Sequence, residues 1–191
     1  MIDKRLLTSL KSDYQSHEID RREINLAANN ILFEAKKTIF ALHRQDFKAS
    51  TSKLSVIEKS LAQLEKKFGT DRLRREGSYK AATEEYLEAR TFFDIIKNKK
   101  IIPVPGLSLD YESYLGGICD LIGELVRYAT NQAAAGKFTE VAKIKKLAEV
   151  VMAQLVDFDL TGYLRTKYDQ ARGHLRKLEQ MSYEIKIRTR K

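Results

Sequence analysis

Two prolines and nine glycines are all the punctuation that 191 residues carry, and both prolines fall in one stretch, Ile102-Pro103-Val104-Pro105. That leaves too few turn signals for a fold of many short strands, and favours helices. Cysteine is nearly absent as well. The single Cys119 lies in an apolar helical context, which excludes a disulfide framework and a zinc-type Cys/His array and fits a reducing cytoplasm. No run approaches the ~20 apolar residues needed to cross a bilayer, and Met1-Ile2-Asp3-Lys4-Arg5 does not lead into the continuous apolar segment of a secretory signal. The sequence reads as a soluble, cytoplasmic protein, and its length as one domain over 1–191 with a single sizeable core.

What is abundant is positive charge. Thirty-five Lys and Arg stand against 26 Asp and Glu, a formal net charge of +9, and the pI is about 9.5. Such a surface concentrates polyanions around itself without specifying which.

The apolar residues recur at three-and-four spacing through most of the chain. Ile24, Ala28, Ile31, Ala35, Ile39 and Leu42 predict one long helix over 3–47. Leu54, Ile57, Leu61, Leu64 and Phe68 predict a second over 51–68, stopped by Gly69. A third spans 72–100, beginning at Arg72-Leu73-Arg74-Arg75 and ending at Lys97-Asn98-Lys99-Lys100. After the proline loop, Ser108 or Asp110 can cap a helix over 110–135 that Gly136 terminates, and Val141, Ile144, Ala148, Val151 and Leu155 mark another over 138–156. The last segment, after Gly162, carries a seam of Leu164, Tyr168, Ala171, Leu175, Leu178 and Ile185. The fold class is all-α, a bundle of about six helices. The seam holds more apolar positions than one bundle helix needs, so it predicts self-association.

Two acidic pairs stand out. Glu85 and Glu88 are three apart, about 60° around a helix, and share a face with Ala82, Ala89, Phe92 and Ile96. Unpaired anions within an apolar stripe are expensive to desolvate, so a cation must be near, either a metal or an Arg or Lys. Asp120 and Glu124 are four apart on the next helix, opposite the stripe of Leu115, Ile118, Ile122, Leu125 and Ala129, which taken alone is what a solvated face looks like. The proline loop allows these two helices to pack antiparallel, with Gly117 permitting close approach. If both pairs converge, oxygen donors without Cys or His suit Mg2+ or Mn2+. A di-iron site would want Glu-x-x-His, and His17, His43 and His174 lie outside any such motif.

Three stretches carry a resemblance: Glu85-Tyr86-Leu87-Glu88-Ala89; Asp110-Tyr111-Glu112-Ser113-Tyr114-Leu115-Gly116-Gly117-Ile118-Cys119-Asp120-Leu121-Ile122-Gly123-Glu124-Leu125-Val126-Arg127; and the ending around Tyr168, Leu175-Arg176-Lys177-Leu178-Glu179 and Tyr183-Glu184-Ile185-Lys186-Ile187-Arg188. Together they resemble the translin/TRAX family over essentially the whole chain. The resemblance implies a helical bundle that assembles into a hollow oligomer and binds single-stranded RNA, and also single-stranded DNA. Its TRAX branch cleaves RNA with Mg2+ held by acidic side chains. Glu85, Glu88, Asp120 and Glu124 match that acidic motif, so the sequence resembles the catalytic branch more than the translin branch. It lacks the long insertions of the eukaryotic TRAX subunit, which makes a homo-oligomer the simpler expectation beside pairing with a translin-like subunit.

Arg21 and Arg22 fall where translin-like proteins carry basic RNA contacts on the first helix. Arg72, Arg74 and Arg75 form a second basic group just ahead of the acidic helix, placed to bind phosphates. Tyr79 and Tyr86 are candidates for base stacking. The expected activity is therefore a metal-dependent endoribonuclease, with a non-catalytic translin-type nucleic-acid binder as the alternative.

Overall fold

A computed structural model describes residues 2–97 and 100–189, and among these the regular elements are seven helices: α1 (Lys4–His43), α2 (Phe47–Phe68), α3 (Thr70–Leu73), α4 (Gly77–Ile96), α5 (Tyr111–Ala134), α6 (Phe138–Val156) and α7 (Gly162–Thr189). The expected all-α class holds, with one helix more than anticipated. Gly69, at φ +75°, ends α2 as its sequence suggested, but the chain then makes the single turn α3, which drops Leu73 fully into the core before α4 begins at Gly77. The helix expected from residue 72 is thus split. α1 stops at His43, earlier than the anticipated 47, because Asp46 takes up capping of α2 by accepting the Ala49 N–H at 3.0 Å. Of the two candidate caps for α5, Asp110 is used, accepting the Ser113 N–H at 2.8 Å. α4 ends at Ile96; Asn98 and Lys99 lie outside the described residues.

α4 is the axis of the bundle. It packs against α1 on one side and α5 on the other, and α5 in turn packs against α6 and α7. Tyr86, Leu87, Ala89 and Phe92 of α4 are essentially inaccessible, as are Leu121, Ile122 and Leu125 of α5. Each large apolar side chain so buried contributes about 1.5–3 kcal/mol. The α4–α5 contact is tightest at Gly117, where a Cβ would stand 2.9 Å from both the Glu84 carbonyl oxygen and the Glu88 nitrogen. The close approach expected of this glycine is therefore real, and it sets the spacing between the two acidic helices. The connecting loop is pinned from inside, with Val104 buried and its N–H donating to the Tyr114 hydroxyl at 2.9 Å.

The α7 seam does not have the surplus expected of it. Leu164, Ala171 and Leu178 are buried, while Tyr168, Leu175 and Ile185 pack on the core from α7's contacts with α5 and α6. The apolar surplus lies on α1 instead. Ile19, Leu26, Phe33 and Phe40, spaced seven apart along one line, are each more than half exposed, and Leu6, Leu7, Leu10 and Tyr14 stand open nearer its start.

Candidate functional site

The four acidic residues singled out in the sequence sit on the facing parts of α4 and α5. Glu88 is buried, and Glu85, Asp120 and Glu124 are half-buried. The Glu88 carboxyl forms no hydrogen bond or ion pair among the described residues. Burial, and then the negative charges of Asp120, Glu85 and Glu124, push its carboxyl up to about 9. Burial likewise raises Glu85, where the nearby Lys36 works against Asp120 and Glu124. Asp120 is raised by burial against the opposing pull of Lys167. The i,i+3 and i,i+4 pairs have thus come close enough for their charges to disfavour one another, and the Asp120–Glu124 face is no open solvated surface.

Two of the four carboxylates already have side-chain partners from other helices. Lys167 of α7 places Nζ 2.5 Å from Asp120 Oδ2 and 2.8 Å from Glu84 Oε1, and Tyr163 donates its hydroxyl to Glu84 at 2.7 Å. Burial alone would lower the Lys167 ammonium, but its bonds to Asp120 and Glu84 hold it well above the usual lysine range. His43 of α1 reaches across the bundle so that Nε2 meets Glu124, with its ring tilted against Phe92 at 5.0 Å and its Nδ1 buried without a partner. Among the described residues, no group of three or more His, Cys, Asp and Glu side chains is arranged to hold a metal ion as it stands. The donor chemistry suits a hard cation. The arrangement is set instead for Lys167 and His43.

Two cavities meet at Asp120. One of about 280 Å³ is lined by Glu88, Asp120, Glu124, Arg127, Gln170 and His174. The other, about 940 Å³, takes in Glu84, Glu85, Asp120, Tyr163, Lys167 and Lys80. Burial, with Lys177 beside it, holds His174 below its usual range. Cys119 is buried with its thiol pushed up to about 12, so it is no nucleophile.

Sequence reasoning missed Glu84, Lys167, His43 and His174. A signal for the α7 pair was present: Lys167 stands three after Leu164 and four before Ala171, and His174 three after Ala171 and four before Leu178, so both lie on the buried seam.

The basic groups fare unequally. Arg21 is exposed, 3.4 Å from Glu18 and 3.6 Å from Glu76; Arg72 approaches the same Glu76 at 2.6 Å, so residues 51 positions apart in the chain meet at one carboxylate. Arg72 is turned inward, with Nε and one terminal nitrogen buried and unpartnered. Arg74 donates to the Ser108 carbonyl at 3.0 Å. Arg22 and Arg75 are exposed and form no ion pair among the described residues. The two tyrosines are not free to stack: Tyr79 and Tyr86 are buried, with their hydroxyls on Glu65 and Glu58.

Glu88 makes folding depend on pH. Its carboxyl keeps a proton in the folded chain up to about 9, whereas the unfolded chain loses it near ~4.3. Stability therefore falls as pH rises through that window. In metal-free buffer the thermal midpoint is expected to drop by ~4 °C or more between pH 6 and pH 8.5, and Glu88→Gln to remove that part of the drop. An unchanged pH profile in the variant would show that Glu88 is not the group responsible.

A family model described as the Translin family matches residues 20–189. The chain belongs to the Translin family. Translin of Gallus gallus is 31% identical over 84 residues, a stretch covering 44% of this chain and 37% of that protein. Among solved structures, apo-NeC3PO superposes with a TM-score of 0.81 at 24% identity, covering 96% of this chain and 97% of that one. AfC3PO gives 0.84 at 20% identity, covering 95% and 97%, and AfC3PO in complex with duplex RNA gives 0.84 at 20%, covering 95% and 96%. At these identities the likeness is one of fold. Among the described residues, no helix is long and apolar enough to cross a membrane.

Proposed function

We propose that this protein binds RNA and cleaves single-stranded RNA with a divalent metal, Mg2+ or Mn2+, held by Glu85, Glu88, Asp120 and Glu124. The observation that carries the reading is Glu88: a buried carboxyl without a partner, under the charges of Asp120, Glu85 and Glu124, on the wall of an open polar cleft. Such a cluster gains from a hard cation what it otherwise loses to mutual repulsion. A bound divalent ion supplies polarisation of the phosphodiester and activation of water. The chain's own residues set the conditions. Lys167 pairs with Asp120 and Glu84, Asp120 being one of the four residues that would hold the ion, and His174, whose imidazole burial holds below its usual range, would offer a proton acceptor on the wall of the same cleft. The full set of Glu85, Glu88, Asp120 and Glu124 supports a reading of the chain as nearer the TRAX-like branch than the translin branch.

RNA as partner is supported by the basic surface and by the likeness to AfC3PO, which has been seen with duplex RNA. Assembly with further copies, alone or with a translin-like subunit, is supported by the apolar side chains open along the first half of α1. The alternative is a binding oligomer that does not cut, and the existing pairing of Asp120 with Lys167 and of Glu124 with His43 favours it. Incubating labelled single-stranded and duplex RNA with the protein, in Mg2+ and in EDTA, separates the two. Metal-dependent cleavage of the single strand is expected; intact RNA in Mg2+ leaves the binder.

Binding itself should be electrostatic. Arg21→Glu places a third carboxylate beside Glu18 and Glu76 and is expected to weaken RNA binding by about three- to tenfold and to lower the salt slope by about one. Fluorescence anisotropy across a salt series measures both, and unchanged values would remove Arg21 from the interface.

A further inference from the structure

The groove between α1 and the start of α2 belongs to none of the above. It is a cavity of about 830 Å³ lined by Phe33, Lys36, Lys37, Phe40, Arg44 and Lys53, with Asp46 at its end. Phe33 is 57% exposed and Phe40 53%. Each ring carries a cation: Lys37 Nζ lies 4.2 Å from the Phe33 centroid and Arg44 Cζ 5.7 Å from that of Phe40. Two large rings left in water are unfavourable for an isolated chain, and four cations beside them set what can cover them.

We propose that this groove is a binding track for single-stranded RNA, with bases stacking on Phe33 and Phe40 and phosphates meeting Lys36, Lys37, Arg44 and Lys53. The rings are two helical turns apart, about 10.5 Å along α1, so each takes a separate base. Charge decides between RNA and a second copy. Asp46 spends its carboxylate on the Ala49 N–H, and Glu34 holds Lys37 at 2.9 Å and Lys53 at 2.7 Å, leaving Lys36 and Arg44 without carboxylate partners among the described residues. The same face on a second copy would set these cations against each other, whereas a polyanion releases counterions on meeting them. The track lies on the helix whose Lys36 acts electrostatically on Glu85 and whose His43 holds Glu124, so a strand seated in it leads toward the carboxylates. The inference rests on the RNA-binding reading above and is independent of cleavage.

The chain contains no tryptophan, so Phe40→Trp creates a lone reporter on an exposed position. Titrated in EDTA with a twelve-nucleotide oligo(A) RNA, its emission is expected to be quenched saturably and to recover with salt. In parallel, the Phe33→Ala/Phe40→Ala double variant should bind the labelled oligonucleotide about tenfold or more weakly by anisotropy. Wild-type binding without Trp quenching, or a double variant of full affinity, overturns the track and leaves the RNA reading intact. No binding by the wild-type protein overturns both. An emission change that follows protein concentration, or anionic vesicles, rather than oligo(A) assigns the groove to a second copy or to a membrane surface and overturns the proposal.

Discussion

Asp120→Asn is expected to cut Mg2+-dependent cleavage of single-stranded RNA by at least ~100-fold while RNA binding persists. Asp120 is the residue at which the two cavities meet and the one Lys167 holds at 2.5 Å. The amide keeps the side chain's size and an oxygen to accept from Lys167, so the packing of α5 against α7 has no reason to fail. It removes the negative charge a hard cation requires. Glu88→Gln is expected to act the same way for a different reason: it locks in the neutral form that burial already favours, so activity falls although the fold gains stability at alkaline pH. Initial rates on labelled RNA, set beside anisotropy and thermal melts, test all three quantities. Full cleavage by either variant, or cleavage undiminished in EDTA, refutes the metal reading and leaves the binding oligomer.

Gly117→Val should be among the most damaging substitutions to stability. Its Cβ would stand 2.9 Å from the Glu84 carbonyl oxygen and the Glu88 nitrogen, both backbone atoms that cannot swing aside, so α4 and α5 must separate. Overpacking of this kind costs about 3 kcal/mol, a loss of ~6–12 °C in thermal midpoint. At Gly116 the clash is with the Glu84 carboxylate, a flexible side chain, and Gly116→Ala is expected to cost less stability while displacing Glu84 from Lys167. Gly173, with nothing within 4 Å, is the control. There alanine should stabilise by up to ~1 kcal/mol through helix propensity. Urea denaturation of the three variants gives the ranking, and a Gly117→Val protein as stable as the parent would mean that the α4–α5 spacing is not fixed here.

The same glycine explains why the placement of the acidic pairs could be read from the sequence. Glu85 and Glu88 on one helix come to face Asp120 and Glu124 on the next because each pair is ordered by local helical spacing, the proline loop returns the chain antiparallel, and a small residue allows the approach. The partners of those carboxylates were hidden for the opposite reason. Lys167 lies 47 positions from Asp120 and His43 81 from Glu124, and periodicity says which face a residue occupies without saying which charge it will meet. With 35 lysines and arginines in the chain, composition could not pick one. Arg72 illustrates the converse. It reads as part of an exposed run, but α3 turns it inward onto Glu76 so that Leu73 can be buried. The α7 seam misled because a helix wedged between two neighbours uses a wider apolar face than one that touches a single partner.

α1 also divides into two halves of different character. Residues 2–17 are exposed throughout, and the first side chain it contributes to the core is Ile24. A stretch of about that length without tertiary partners is marginal as a helix in water. In an isolated chain its amide protons should therefore trade for deuterium within seconds, and the protection factors should climb steeply past Ile24 within one continuous helix. Slow exchange in residues 4–17 would then be a direct reading, amide by amide, of where another molecule has closed over the open leucines.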